Sequence, residues 1–287
     1  MGHTKIFGIF GNPIDHTLSP LMHNAAFEAL GLPNIYLPFD VHPDDLRKAV
    51  EAIVPLGIQG INVTIPHKEA IIPYLDTIDE EAQKIGAVNT VEVCSNRLIG
   101  HNTDGRGFLA SLTEMGIDPS GQRVILVGAG GAAKGVSIAL LSAGVSELII
   151  MARRSDRGKR LADRLAALFS HVDISVSGMH PEERVFQQKD RPTLLINTTP
   201  LGMKGDDPIP FTPSLIESEW IVADLVYRPA ETPLLSAARN IGAKRVPGHG
   251  MLLHQGALAF EIWTNEKAPL AVMKNALWNA LSSQGSS

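Results

Sequence analysis

The chain holds one cysteine among 287 residues, only 5% aromatic residues, and no large excess of either charge. A single thiol, Cys94, cannot close an intramolecular disulfide, which excludes a cross-linked secreted scaffold and fits a reducing cytoplasm. The 25 Lys and Arg set against 30 Asp and Glu give a net charge of −5. No block of like charges marks a surface for nucleic acid or for a membrane. No apolar run reaches the ~18 residues of a spanning helix, and Met1 is followed by no cationic and apolar leader. What is present is an ordinary soluble composition, 44% apolar and 19% charged with Gly 26 and Pro 19, which excludes disordered and collagen-like chains. A single core is usually built from ~100–150 residues, so this length predicts two domains. Small-molecule chemistry is the class left open.

The first half alternates short β-branched runs with amphipathic stretches. KIFGIF from Lys5, IYLPF from Ile35 and INVTI from Ile61 read as buried strands. A helix is expected from Ser19 as its N-cap, with Pro20 at its first position and Gly31 at its end. DDLRKAVEAI from Asp44 reads as a second helix closed by Gly57, a shorter one is expected after Pro66, and another covers DEEAQKI from Asp79. The segment from Ala87 to Asn102 reads as a hairpin turning at Ser95 and Asn96. From Arg123 the pattern simplifies to strand RVILV, a glycine-rich turn, an Ala- and Leu-rich helix, strand ELIIM and a helix ending near Phe169, which is a Rossmann-type half. Later strands are expected at Thr193 to Ile196 and Ile221 to Leu225. Two last helices, Leu252 to Trp263 and Pro269 to Leu281, have no strand after them and are expected to return to the N-terminal domain, with the terminal SSQGSS frayed.

The turn VGAGGAAKG follows a strand and opens a helix, so Gly128, Gly130 and Ala133 take the G-x-G-x-x-A positions. Gly128 allows the tight turn, Gly130 lets backbone approach a pyrophosphate, and the helix start offers unpaired N–H groups, which together predict a dinucleotide site. NAD-selective sites carry an acid at the end of the second strand. Here that end reads MARRS, and Arg153 and Arg154 offer guanidinium groups to a 2′-phosphate, which favours NADP; Asp156 is the dissenting residue.

NVTIPHKEA delivers Thr64 and Lys68 to the carboxyl edge of the first sheet. Lys68 is expected in the first turn of a helix, where the positive end of the dipole suits a proton-transfer lysine, although a lysine there is ordinarily a solvated surface residue. In HNTDG, Asp104 opens a helix where the first domain hands over to the second, so a capping role shared with Thr103 stands beside a catalytic one. In HTLSP, Ser19 can sit at the helix start and donate to a substrate carboxylate.

Eight ordered motifs resemble the shikimate dehydrogenase family over nearly the whole chain. They are GNPIDHTLSPLMHNAAF at Gly11, GINVTIPHKEA at Gly60, GAVNT at Gly86, GHNTDG at Gly100, GAGGAAKG at Gly128, NTTPLGM at Asn197, ADLVYRPAETPLL at Ala223 and GHGMLLHQGALAFEIW at Gly248. The resemblance implies an α/β substrate domain, residues 1–103 with 250–287, and an NADP-binding Rossmann domain, residues 104–249. It implies that Thr17 and Ser19, with the phenol of Tyr227, hold the substrate carboxylate, and that Thr64, Asn89, Asp104 and Gln255 bind ring hydroxyls. Lys68 and Asp104 match the catalytic pair. Gly128, Ala129, Gly130, Gly131, Ala132, Arg153, Arg154, Thr198, Leu201, Leu225, Gly248 and Met251 match positions around NADP, with Gly250 beside Met251. The implied reaction is the reversible NADPH-dependent reduction of 3-dehydroshikimate to shikimate, without a metal, in a cytoplasmic monomer or homodimer.

Two departures stand out: Thr17 replaces a common serine, adding a methyl to the carboxylate pocket, and Ala152-Arg153-Arg154 replaces an Asn-Arg-Thr or Asn-Arg-Ser run. A quinate/shikimate dehydrogenase using NAD as well is the enzymatic rival. A non-catalytic NADP(H)-responsive regulator is the other, and it has no reason to keep Thr64, Lys68, Asn89, Asp104 and Gln255 together.

Overall fold

The computed structural model describes residues 4–179 and 192–283. The chain divides into two compact units, Met1–Gly107 with Leu252–Ser287, and Phe108–Met251.

In the first unit the order is β1 (Lys5–Gly11), α1 (Ser19–Ala29), β2 (Asn34–Asp40), α2 (Leu46–Glu51), β3 (Ile58–Val63), β4 (Thr77–Ile78), α3 (Glu80–Ile85), β5 (Thr90–Cys94) and β6 (Arg97–His101). Among the described residues these strands form one sheet in the order β2-β1-β3-β5-β6-β4. β1 is parallel to both its neighbours, and the β5–β6 hairpin adds antiparallel strands. β1 is buried from Phe7 to Gly11, the continuous pattern of a strand covered on both faces. α1 buries Ser19, Met22, His23, Ala26 and Phe27, the i, i+3, i+4, i+7, i+8 stripe of a helix lying on a sheet. Ser95 and Asn96 both take positive φ, 50° and 61°, as a two-residue type I′ turn requires.

Three expectations give way here. No α-helix follows Pro66: the chain makes successive turns and then a single 3₁₀ turn, Ile72–Tyr74. Pro73 has no N–H for the bond to Glu69 that a helix running on from Pro66 needs, and the few residues before it are too short to nucleate one. His67 closes this segment instead. Its N–H reaches Thr64 O at 2.8 Å, its carbonyl accepts from Ile71 N at 3.0 Å, and its ring meets Val41 O at 2.7 Å. The second helix is shorter than Asp44 to Ile53, since a 3₁₀ turn at Pro43–Asp45 precedes α2 and turns leading to Gly57 follow it. Ser19 is not the N-cap of α1. Leu18 holds that position without a side-chain bond, and the Thr17 hydroxyl accepts from Ser19 N at 3.3 Å.

α4 (Asp104–Glu114) carries the chain into the second unit. There β7 (Arg123–Val127), α5 (Gly131–Ser142), β8 (Glu147–Met151), α6 (Ser155–Leu168), β9 (Asp173–Ser177), β10 (Thr193–Asn197), β11 (Ile221–Asp224), α7 (Pro233–Ile241) and β12 (Lys244–Pro247) follow. The sheet order among the described residues is β12-β11-β10-β7-β8-β9, every pair parallel. Chain order runs outward in both directions from β7 and β10, the doubly wound Rossmann arrangement with its switch point between them. β7 and β10 are buried at every residue, and Ile125, Val127, Leu195, Trp220 and Leu234 belong to the core on one side.

α8 (His249–Thr264) leads back into the first unit and α9 (Leu270–Ser283) packs on α1. Trp263 anchors this return: its ring meets Phe7 at 5.3 Å and its Nε1 donates to Val91 O at 2.9 Å. Gly60 lies so close beneath the indole that a Cβ would collide with it. Phe260 meets Phe27 at 5.3 Å. The tail expected to fray lies outside the described residues from 284 onward.

Candidate active site

The first unit gathers four of the expected residues into one hydrogen-bonded set. Lys68 Nζ donates to Asp104 Oδ2 at 2.5 Å, with side chains only 15% and 4% exposed. Lys68 leaves the turn after β3, where its carbonyl accepts from Val88 N at 2.7 Å, so the strand edge and the β5 approach are tied at this lysine. The helix dipole expected to act on its ammonium is absent with the helix, and what faces the ammonium is the carboxylate of Asp104. Asp104 begins α4, with its N–H bonded to Asn102 Oδ1 at 3.0 Å.

Asn89 orients the carboxylate. Its Nδ2 lies 2.8 Å from Asp104 Oδ1, 2.9 Å from Thr103 Oγ1 and 3.4 Å from Gln255 Oε1, while its Oδ1 accepts from Thr103 N at 2.8 Å. Both Asp104 oxygens are thus engaged away from α4, by Lys68 and by Asn89. Asn62, which the sequence reading passed over, supports Asn89 from below: its amide reaches Asn89 O at 3.2 Å and Thr90 Oγ1 at 3.1 Å, and its Oδ1 accepts from the buried Tyr36 hydroxyl at 2.7 Å. A buried amide inside an otherwise apolar strand was the available signal. Gln255 comes close because Gly107 on α4 has no Cβ, which would otherwise strike the Gln255 backbone. Thr64 is half-buried in the same turn as Lys68, its N–H bonded to Phe10 O at 2.9 Å. Thr17 and Ser19 meet at the start of α1. Tyr227 belongs to the second unit, half-buried after β11.

In the second unit, Gly128 has φ +117°, and a Cβ there would run into the Thr198 hydroxyl. That hydroxyl donates to Val127 O at 2.7 Å, so the ends of β7 and β10 are pinned where Gly128 and Thr198 meet. Gly130 differs: its φ of −90° suits any residue, and a Cβ built on it meets nothing within 4 Å. Neither strain nor internal packing therefore accounts for glycine at this N-cap, whereas close approach of a ligand to the backbone would. Gly130 gives α5 no side-chain cap, and Ala129, Gly131 and Ala132 add only small side chains around that helix start, which suits a pyrophosphate. Leu201 bonds through its carbonyl to Asn197 Nδ2 at 3.1 Å. Gly248 presses on the carbonyl of Leu225, leaving no space for a Cβ. Met251 is buried on α8, and Gly250 lies against Ser111.

Arg153 and Arg154 are exposed after β8. Arg154 Nη2 pairs with Asp156 Oδ2 at 3.2 Å and Arg160 Nη2 with the same oxygen at 2.8 Å. Hydrogen bonds from Arg154, then from Arg160, bring the Asp156 carboxyl down to about 2. The dissenting acid is therefore held by neighbouring guanidiniums.

A doubly wound unit with an open glycine-lined helix start, in a chain whose other α/β unit carries a shielded lysine–carboxylate pair, defines a two-domain α/β protein of the dinucleotide-dependent oxidoreductase class. The chain belongs to the shikimate dehydrogenase family. A model described as the shikimate dehydrogenase substrate binding domain matches residues 9–91, one described as shikimate / quinate 5-dehydrogenase matches 111–189, and one described as the shikimate 5′-dehydrogenase C-terminal domain matches 248–277. A shikimate dehydrogenase (NADP(+)) of Methanopyrus kandleri is 46% identical over 96% of this chain and 95% of its own. A crystal structure of a shikimate dehydrogenase in complex with NADP+ is similar with a TM-score of 0.87 and 39% identity, covering 97% of this chain and 96% of that one. The Thermus thermophilus enzyme in complex with NADP(H) and shikimate gives 0.85 at 35% identity, over 96% and 100%.

Proposed function

We propose that the chain is an NADP-dependent shikimate dehydrogenase, reducing 3-dehydroshikimate reversibly to shikimate on the route to chorismate and the aromatic amino acids. The observation that carries this reading is the Lys68–Asp104 pair at 2.5 Å, largely shielded from water and braced by Asn89. NADPH, when bound, supplies the hydride. Lys68 Nζ gives the proton to the carbonyl oxygen during reduction and takes it from the hydroxyl during oxidation. Asp104 keeps that ammonium aimed and, with Thr64, Asn89 and Gln255, receives the ring hydroxyls, while Thr17, Ser19 and Tyr227 receive the carboxylate. Every oxygen of such a polyol needs its own partner, and this set supplies donors and acceptors of both kinds.

Residues 1–103 with 250–287 form the substrate domain in this reading and 104–249 the NADP domain. Gly128, Ala129, Gly130, Gly131 and Ala132 would hold the pyrophosphate, and Thr198, Leu201, Leu225, Gly248 and Met251 the rest of the dinucleotide. Arg153 and Arg154 would hold the 2′-phosphate. Asp156 is outnumbered at this strand end, paired with both Arg154 and Arg160, and the positive balance weighs against the dual-cofactor quinate/shikimate alternative, in which an acid takes the ribose. No helix among the described residues is long and apolar enough to cross a membrane. We assign the protein to the cytoplasm as a monomer or homodimer.

The test is absorbance at the nicotinamide band with shikimate or quinate crossed against NADP or NAD. Reduction of NADP by shikimate is expected to exceed the other three pairings, and no turnover with shikimate would overturn the reading.

A further inference from the structure

Asp224 ends β11, is fully buried, and stands outside the proton-transfer pair. Its oxygens take three donors from three places in the chain. Oδ1 accepts from Asn197 Nδ2 at 2.8 Å and from the Val226 N–H at 3.0 Å, and Oδ2 accepts from the Thr232 hydroxyl at 2.7 Å.

Each of these side-chain partners is committed again. Asn197 ends β10, and its Nδ2 also reaches Leu201 O at 3.1 Å. Its Oδ1 accepts from the Thr199 N–H at 3.0 Å and from the Thr199 hydroxyl at 2.7 Å. Thr232 caps α7 by accepting from Leu235 N at 3.2 Å, which leaves its own hydrogen for Asp224. Gly248, just past β12, lies so close to the Asp224 carbonyl that a Cβ has no room. One carboxylate therefore joins the loop at 198–201, the segment at 225–227 and the start of α7.

The choice of an acid at this place is informative. The Asn197 amide and the Val226 N–H can only donate, and the Thr232 hydroxyl, which accepts from Leu235 N, donates as well, so a carboxylate, accepting at both oxygens, satisfies all three without rearrangement. Burial opposes the charge and lifts the carboxyl to about 6, against the pull of Thr232, Val226 and Asn197. Holding a charge in the core is a costly way to close a strand end, and it gives a fixed geometry in return.

We infer that Asp224 is a positioning residue for the NADP site: as a carboxylate it holds Thr198, Leu201 and Leu225 in the arrangement that receives the dinucleotide. The inference rests on the reading of this chain as an NADP-dependent enzyme.

NADPH fluorescence enhancement measures binding directly, beside KM for NADP and for shikimate and a melting curve. Asp224→Asn removes the charge and leaves one acceptor oxygen, so its amide either faces a donor or forces the Thr232 hydroxyl to turn and accept, and it is expected to weaken NADPH binding at least tenfold while KM for shikimate, at saturating NADP, moves less than threefold. Should that variant fail to fold, Thr232→Val and Thr232→Ser carry the test. Loss of the hydroxyl is expected to weaken NADPH binding at least threefold, and serine is expected to restore wild-type affinity. Variants that melt lower yet bind NADPH within twofold of wild type would overturn the positioning role. A wild-type protein that binds no NADPH would instead overturn the reading beneath it.

Discussion

The ammonium of Lys68 and the carboxylate of Asp104 meet at 2.5 Å across 36 residues of chain, and Asn89 holds the second carboxylate oxygen at 2.8 Å. The lysine comes from the turn after β3, the amide from the entry to β5 and the acid from the start of α4. Three strand-end positions thus converge on one edge of the first sheet, where ligands of open α/β sheets bind.

Lys68→Ala is expected to lower turnover by ~10² to 10⁴, the usual contribution of a positioned acid-base group, with NADPH binding retained. Single-turnover absorbance measures the step. A variant that keeps more than about a third of wild-type turnover removes Lys68 from proton transfer.

Ser19→Ala is expected to raise KM for shikimate more than it lowers kcat, the pattern of an interaction made equally in ground and transition states. Because α1 takes no side-chain cap from Ser19, the helix should lose little stability, and melting curves recorded beside the kinetics check this. An unchanged KM would take Ser19 out of the carboxylate site.

Replacing both Arg153 and Arg154 with alanine is expected to weaken NADP far more than NAD. A charge-assisted hydrogen bond to phosphate is worth ~1.5–3 kcal/mol, or roughly tenfold to a hundredfold in affinity. Since both guanidiniums are exposed, added salt should narrow the wild-type preference. Equal loss of both cofactors in the double variant speaks against the 2′-phosphate role.

His101 sits between two acids, its Nδ1 2.8 Å from Asp79 and its Nε2 3.2 Å from Glu92. Burial disfavours its cation, yet the hydrogen bonds and charges of Asp79 and Glu92 outweigh burial and raise its pKa above the ordinary 6.5. The folded state then binds this proton more tightly than the unfolded chain. The stabilisation is full below about pH 6.5 and is lost as pH rises through the folded-state value. Burial pushes Asp79 upward, but His101 and the Ala82 N–H prevail and lower it from 3.8, so its share is lost as pH falls through that depressed value. His101→Gln is expected to remove ~1 kcal/mol, about 2–4 °C of melting temperature, at pH 6 and less at pH 9. Equal losses at both pH values would contradict this account.

Much of this was legible in the residues. The glycine turn, the hairpin at Ser95 and Asn96 and the buried strands β1, β3 and β7 follow from local rules, whereas IYLPF, expected to be a buried strand, lies at the sheet edge in β2 with only Tyr36 buried. Other elements were not legible. β12 contains Lys244, Arg245 and Pro247, and β4 is two residues long, so neither shows a strand period; their neighbours in the sheets define them. The helix expected after Pro66 is absent because Pro73, with no N–H, cannot continue it. At the candidate site the types of residue could be read, whereas the joining of Asn62 to Asn89 and of Asp224 to Asn197 depends on strands distant in the chain, which no spacing rule encodes.

Because Trp263 and Phe260 reach Phe7 and Phe27 only after the second unit has been threaded, the order of synthesis matters for this protein. On the ribosome the second unit is continuous and can close as soon as β12 emerges, while the first sheet must wait with an apolar face open to water and to neighbouring chains. A polypeptide stopped after Pro247 is expected to show the cooperative melting of the second unit alone and to gather chaperones at the first. Supplying the missing α8 and α9 as a separate peptide should relieve that burden.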